Sequence, residues 1–250
     1  MADVQPAPGR RGVGLFLIAF AHLIMAIDFT IVYVALPRIG AALGFSEGGL
    51  QWVMHGYTVV FGGFLLLGGR ASDLLGRRRV FTGALVLFAG ASLLGGLATT
   101  PTLIVVARAV QGLGAALLFP STVALVNVLF AEGPERVRAL GLWALSGSCG
   151  LTLGSLVGGV LVSRFDWPAV FLVNVPLCLL TAAGSLLAIP ADAPSHTKRR
   201  FDLLGALAVT VGTTLLVYTI VQGGQAGWAT PATAVWALLA IGALLAFIAI

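Results

Sequence analysis

Two opposite charges, Asp28 and Arg108, stand inside long apolar runs of this chain. A charge in a hydrocarbon environment is costly, so it normally faces a cavity or a partner. Burial favours the neutral acid, whereas a nearby guanidinium favours the carboxylate. Opposing influences of this kind let a carboxyl group take up and release a proton as its surroundings change. The alternative is a static ion pair that orders the structure. Gln111, three residues past Arg108, lies on a neighbouring helix face and can hydrogen-bond a bound molecule or water. His22 is six residues from Asp28 and points to a different face, and for both His22 and His55 packing is the favoured reading.

A second cluster occupies residues 69–79, where Gly69, Arg70, Asp73, Gly76, Arg77, Arg78 and Arg79 stand between two apolar stretches. Gly69 and Gly76 allow a tight reversal with positive φ. Asp73 can accept backbone hydrogen bonds near a helix N-terminus, where negative charge is favoured. The arginines can pair with Asp73 and with lipid phosphates. Further along, Gly147, Gly150, Gly154 and Gly158 recur at three- and four-residue spacing. They form a side-chain-free stripe suited to close helix packing, and the expected partner is a helix beyond this chain.

The elements that must position these residues are set by composition. Hydrophobic residues make up 59% of the 250 residues and charged residues 9%, and mean hydropathy is +1.05. Soluble domains carry about 25% charged residues, so lipid must be the solvent here. Continuous apolar runs rich in Ala and Leu predict eight membrane helices near 13–36, 51–69, 80–98, 103–129, 139–163, 169–189, 203–222 and 233–250. Each approaches the roughly 20 residues that span a bilayer. The first run is too long for a signal peptide and contains Asp28. The two cysteines, Cys149 and Cys178, sit in apolar runs and read as small core residues.

Orientation follows from the basic residues. With the N-terminus inside, the inner segments hold Arg10, Arg11, Arg70, Arg77, Arg78, Arg79, Arg136, Arg138, Lys198, Arg199 and Arg200, eleven in all. The outer loops hold two, Arg38 and Arg164. The bias places the N-terminus in the cytoplasm. The net charge of +5 is thus a matter of topology, not of nucleic-acid binding. With Pro37 closing the first span, Asp28 lies about 13 Å below its outer end at the helical rise. Arg108 lies about 10 Å into the inward-running fourth span. Both are expected in the outer half, facing one polar cavity. Pro120 is expected to kink the fourth span.

Six motifs in order resemble the fourteen-span drug:proton antiporter branch of the major facilitator superfamily. They are Asp28-Phe29-Thr30 leading to Ala35-Leu36-Pro37, Gln51-Trp52-Val53, Arg108 to Ala116, Gly150 to Gly159, Phe171 to Pro176, and Phe201-Asp202-Leu203 opening a seventh span; the basic loop at 69–79 also resembles the superfamily's signature loop between its second and third helices. Leu74 stands where an arginine is common in the family's loop, and Ser155 where its antiporter motif has proline. The resemblance implies an all-α integral membrane protein: a six-helix N-terminal bundle of three-plus-three inverted repeats, plus two extra helices. The expected organisation is a cytoplasmic tail over 1–12, a bundle over 13–190, a cytoplasmic linker over 191–202 and two further helices over 203–250. The C-terminal half is absent, so a fragment of a longer protein is expected.

The resemblance further implies proton-coupled export of a small amphipathic substrate across the cytoplasmic membrane. Asp28 and Arg108 would couple protons, Gly69, Asp73, Gly76, Arg77 and Arg78 would form a conformational latch, and Gln111 and Thr30 would line the substrate cavity. Substrate, protons and the lipid bilayer are the expected partners. No P-loop, HExxH run, cysteine-rich metal motif or Ser-His-Asp set is evident in the sequence. The expectation is therefore a non-enzyme without cofactor, driven by a proton gradient. A dedicated metabolite carrier of the same fold, or a truncated chain without transport, are the alternatives.

Overall fold

The computed structural model describes residues 8–192 and 203–249. Most of the expected tail and linker, including Lys198, Arg199 and Arg200, lies outside the described residues. Among the described residues the regular structure is helical: α1 (Pro8–Leu43), α2 (Glu47–Leu50), α3 (Trp52–Leu75), α4 (Arg77–Gly96), α5 (Pro101–Leu129), α6 (Pro134–Phe165), α7 (Ala169–Leu172), α8 (Asn174–Ala188), α9 (Leu203–Ala226) and α10 (Pro231–Ala249). Among the described residues, eight helical spans are long and apolar enough to cross a bilayer, the sixth formed by α7 and α8 together. The chain is a multi-pass membrane protein of the expected fold class.

The ends of the elements differ from expectation in informative places. α1 does not stop at Pro37 but carries it inside the helix and runs to Leu43. It ends where Gly44 takes a φ of +66° and the Phe45 amide reaches back to the Gly40 carbonyl at 3.1 Å. Proline is tolerated within membrane helices when neighbouring groups satisfy the freed carbonyl. Similarly, α3 continues helically through Gly69 and Arg70 to Leu75. Of the two glycines in the basic turn, only Gly76 has positive φ, at +102°. The reversal between α3 and α4 is therefore a single residue, and Gly69 is not part of it.

That turn is secured from a distance. Gly76 is the N-cap of α4 and has no side chain to offer. Asp192, just beyond α8, supplies the cap: its carboxylate accepts from the amides of Arg78 at 3.0 Å and Arg79 at 3.1 Å. Arg78 answers by donating to the carbonyls of Ile189 at 3.0 Å and Leu186 at 3.4 Å. Asp73, expected to do this work, instead makes a long 3.8 Å pair with Arg77 one helical turn on, and both side chains are 43% exposed. A pair so exposed contributes little, whereas a carboxylate on first-turn amides satisfies otherwise orphaned donors.

Two apolar layers fill the bundle. One contains Ile18, Met25, Phe81, Phe88, Leu118 and Leu125. The other contains Ile31, Ile39, Val53, Ile104, Trp167 and Phe171. Phe16, Phe165, Leu187 and Leu238 are among the many large apolar side chains left exposed on the outside, as a lipid-facing surface requires.

The glycine stripe of α6 packs on α1 of this same chain, which corrects the expectation of a partner beyond it. Gly147, Gly150, Gly154 and Gly158 are all buried. Built side chains there would strike His22, Ala26 with the Leu23 carbonyl, Thr30 with the Ile27 carbonyl, and Ile31, in that order along α1. Gly68 and Gly112 serve the α3–α5 contact in the same way, each abutting backbone of the other helix. The added helix α9 docks on α3, where Thr213 donates to the Gly63 carbonyl at 2.8 Å, and α10 packs on α9.

Two outcomes follow. Gly154→Leu should push α1 away from α6 and lower the unfolding midpoint in detergent, with a cost of about 1–3 kcal/mol. Leucine at exposed Ser155 should not, and equal midpoints for the two would show that the seam is loose. Asp192→Ala should cost about 1 kcal/mol, read as faster hydrogen exchange at the Arg78 and Arg79 amides. Unchanged protection would mean that Asp192 does not cap α4.

Candidate functional site

The two apolar layers are separated by a polar one, and the chain order of each helix shows it. On α1, Asp28 falls between Met25 of one layer and Ile31 of the other. On α5, Arg108 and Gln111 fall between Ile104 and Ala115. Ser92 lies between Phe88 and Ala98, and Asn174 between Phe171 and Cys178. The α3 contribution is the Val53 carbonyl with the Tyr57 ring one turn on. Five spans thus bring one polar group or set each to the same level.

Asp28 and Arg108, both completely buried, pair at 2.6 Å. Asp28 Oδ1 also accepts from Asn174 Nδ2 at 2.7 Å and Gln111 Nε2 at 3.1 Å. Arg108 donates through Nε to the Val53 carbonyl at 3.1 Å and through Nη1 to Gln111 Oε1 at 2.9 Å. Gln111 Nε2 reaches Ser92 Oγ at 2.7 Å. The guanidinium carbon stands 4.3 Å from the centre of the Tyr57 ring, a cation–π contact strengthened by exclusion of water. Among the described residues, Arg108 Nη2 and Asn174 Oδ1 have no hydrogen-bond partner. The layer therefore keeps one spare donor and one spare acceptor in a setting where an unpaired polar atom is costly.

The expected pairing of Asp28 with Arg108 is present and sets the two at one level, but the depth counted from Pro37 does not carry over, because α1 runs on to Leu43. Their surroundings differ from expectation. Neither faces an open cavity, since both have no exposure. Gln111 is likewise fully buried and bridges the pair instead of lining a substrate space. Thr30 belongs to the α1–α6 seam, where its hydroxyl donates to the Ile27 carbonyl at 3.3 Å and its side chain covers Gly154. His22 is away from the pair as anticipated, stacked on Trp143 at 4.2 Å over Gly147. His55 meets Trp52 edge-on.

Asn174, Ser92 and Tyr57 were not singled out from the sequence as site residues. Asn174 carried a usable signal, an amide within an apolar run at the level of the buried charges. Ser92 and Tyr57 carried little, because serine and tyrosine are common in membrane helices for local reasons. Asp192 looked like linker composition. Of the expected latch residues, Gly76, Arg77 and Arg78 lie together at the α4 N-terminus, with Asp73 one turn before, while Gly69 faces Pro120 of α5.

Comparisons with known proteins place this geometry. Residues 18–250 match the family model described as Major Facilitator Superfamily. The chain is 43% identical over 238 residues to the cephamycin export protein of Amycolatopsis lactamdurans, covering 94% of this chain and 49% of that protein. It is 40% identical to the puromycin resistance protein of Streptomyces alboniger, covering 98% and 48% respectively. It is 36% identical to the lincomycin resistance protein of Streptomyces lincolnensis, covering 98% and 49%. The chain thus spans about half the length of the curated relatives it matches. Among solved structures, the peptide-transporter-family protein PepTSo superposes with a TM-score of 0.68 at 14% identity, over 97% of this chain and 52% of that one. A bacterial homologue of the lysosomal transporter Spinster gives 0.64 at 16% identity, over 98% and 61%. With one family model matched across nearly its whole length and a helical bundle that superposes on solved transporters, this chain belongs to the major facilitator superfamily.

Proposed function

We propose that this segment is the N-terminal half of a proton-coupled exporter of small amphipathic compounds in the cytoplasmic membrane. It would work beside a second six-helix bundle, with its N-terminus in the cytoplasm. The observation that carries the reading is the fully buried Asp28–Arg108 pair with its spare donor and acceptor. Support also comes from relatives whose names denote export of, or resistance to, antibiotics. The eleven-to-two distribution of basic residues supports the orientation.

In this reading Asp28 is the proton acceptor. While ionised it binds α5 through Arg108 and α8 through Asn174. Protonation removes the attraction to Arg108, which stays charged because arginine does not deprotonate in proteins. Arg108 then keeps only the Val53 carbonyl, Gln111 and the Tyr57 ring. The five spans that meet at this level can rearrange, and the gradient supplies the drive. The Gly76 turn, tied to α8 through Asp192, would act as the latch at the cytoplasmic end. No cofactor has a part in the cycle.

The test is drug efflux driven by a pH gradient in everted vesicles holding the protein that carries this segment. Asp28→Asn should abolish gradient-driven export while the chain still inserts. The amide keeps hydrogen-bonding capacity, and Arg108 keeps its other partners. Export at the wild-type rate and expression level would remove Asp28 from the mechanism. Arg108→Ala should lose export severely, and Arg108→Lys should retain part of it, because lysine keeps the charge but not the fork. The double variant should lose less than the two single losses together if the residues act as a unit. Full additivity would separate them.

A further inference from the structure

α1 and α3 both pack on α5 but hardly touch each other. Arg108 of α5 bridges the gap between them, donating to Asp28 on one side and to the Val53 carbonyl on the other. Two rings also meet across it. Phe29, the residue after Asp28, approaches Tyr57 of α3 at 6.2 Å. The Tyr57 ring in turn lies 4.3 Å from the guanidinium carbon, and Phe61, one turn along α3, stacks on it at 6.0 Å. We infer that Tyr57 is the lid of the polar layer: its ring keeps water from the Asp28–Arg108 pair when closed and admits water, with protons, when turned aside.

Exposure singles this residue out. Asp28, Arg108, Gln111 and Ser92 have none, and Asn174 has 1%. The Tyr57 hydroxyl makes no hydrogen bond among the described residues, yet it is not one of the buried polar atoms left without a partner. The phenol oxygen therefore belongs to the 4% of Tyr57 that stays exposed. One side chain thus has its ring on the buried cation and its polar tip at the surface.

The backbone that carries the ring is fixed. Gly56 brings α3 against the Val105 carbonyl of α5, and a side chain at Gly112 of α5 would strike the backbone of Tyr57 itself. The helices cannot part here without breaking that seam and the bond from Arg108 to Val53. The ring can move alone, because a long side chain in a helix has two favoured χ1 settings. What holds it closed is the cation–π contact, which is stronger for buried groups. The contact also answers the state of Asp28. Once water has passed a proton to the carboxylate, the guanidinium is left without its anion and has more to gain from the ring. The lid is then drawn shut behind the proton.

The part of Tyr57 in a transport cycle rests on the proton-coupling reading, but the lid is tested without transport. The chain, labelled with nitrogen-15 arginine and held in lipid nanodiscs, is moved into heavy water, and decay of the buried guanidinium N–H signal is followed by NMR. Loss of that signal in Arg108→Lys assigns it. The wild type should exchange slowly. Tyr57→Phe keeps the ring and should match it, whereas Tyr57→Ala should exchange about tenfold faster. Phe81→Ala deletes a wholly buried ring from an apolar layer and should leave the rate unchanged. Exchange in Tyr57→Ala as slow as in the wild type would overturn the lid. So would Tyr57→Phe as fast as Tyr57→Ala, or equal acceleration by Phe81→Ala, which reports a loosened bundle instead. Ring-dependent exchange together with undiminished export by Asp28→Asn would uphold the lid and sink the proton-coupling reading alone.

Discussion

The rest of the molecule is arranged around a carboxylate and a guanidinium that meet fully buried inside the bundle. Asp28 and Arg108 touch at 2.6 Å with no solvent exposure. Removing either charge from the interior alone would leave the other uncompensated, and an unpaired buried charge is among the most costly features a fold can hold. The two therefore fix the relative depth of α1 and α5. Asn174, Gln111, Ser92 and the Val53 carbonyl complete the layer and tie α8, α4 and α3 to the same level. The apolar layers above and below take up whatever length of helix remains. If Asp28 is the proton acceptor proposed above, a single proton bears on five spans at once.

The remaining contacts decide which parts can move together. The α1–α6 seam is close backbone packing over four glycines, and such seams resist separation but leave few interlocking side chains to oppose sliding. The α3–α4 turn is held differently, by directional hydrogen bonds from Asp192 and Arg78 that couple it to the end of α8. The added helix α9 follows α3 through Thr213, and Gln225 reaches Gln51 at 2.7 Å. α9 and α10 are thereby part of the N-terminal body rather than a free tether.

What the sequence revealed follows from the physics that wrote it. The spans were legible because lipid imposes length and apolarity on the chain itself. The Asp28–Arg108 pair was legible for the same reason, since buried charges are rare enough to identify one another. Pro37 misled because proline signals an end only where its carbonyl partner cannot be satisfied otherwise. The hydrogen bonds of Gln111 to the charged pair and the packing of Thr30 over Gly154 were not legible, because sequence spacing gives a helix face but not what covers it. Asp192 was missed as a cap because its partners, the Arg78 and Arg79 amides, lie more than a hundred residues away. The glycine stripe announced a contact, but only the fold shows that α1 makes it.

The claim at the centre of this account is that Asp28 changes protonation while its hold on Arg108 changes with it. Infrared difference spectroscopy on the chain labelled with carbon-13 aspartate, in lipid, reads both groups directly. The account predicts a carboxylic-acid band that grows on acidification and vanishes in Asp28→Asn, accompanied by a shift of the guanidinium bands that is absent in Arg108→Lys. A folded protein in which no acid band is assignable to Asp28 at any pH, or in which that band appears with the guanidinium bands unmoved, would contradict it.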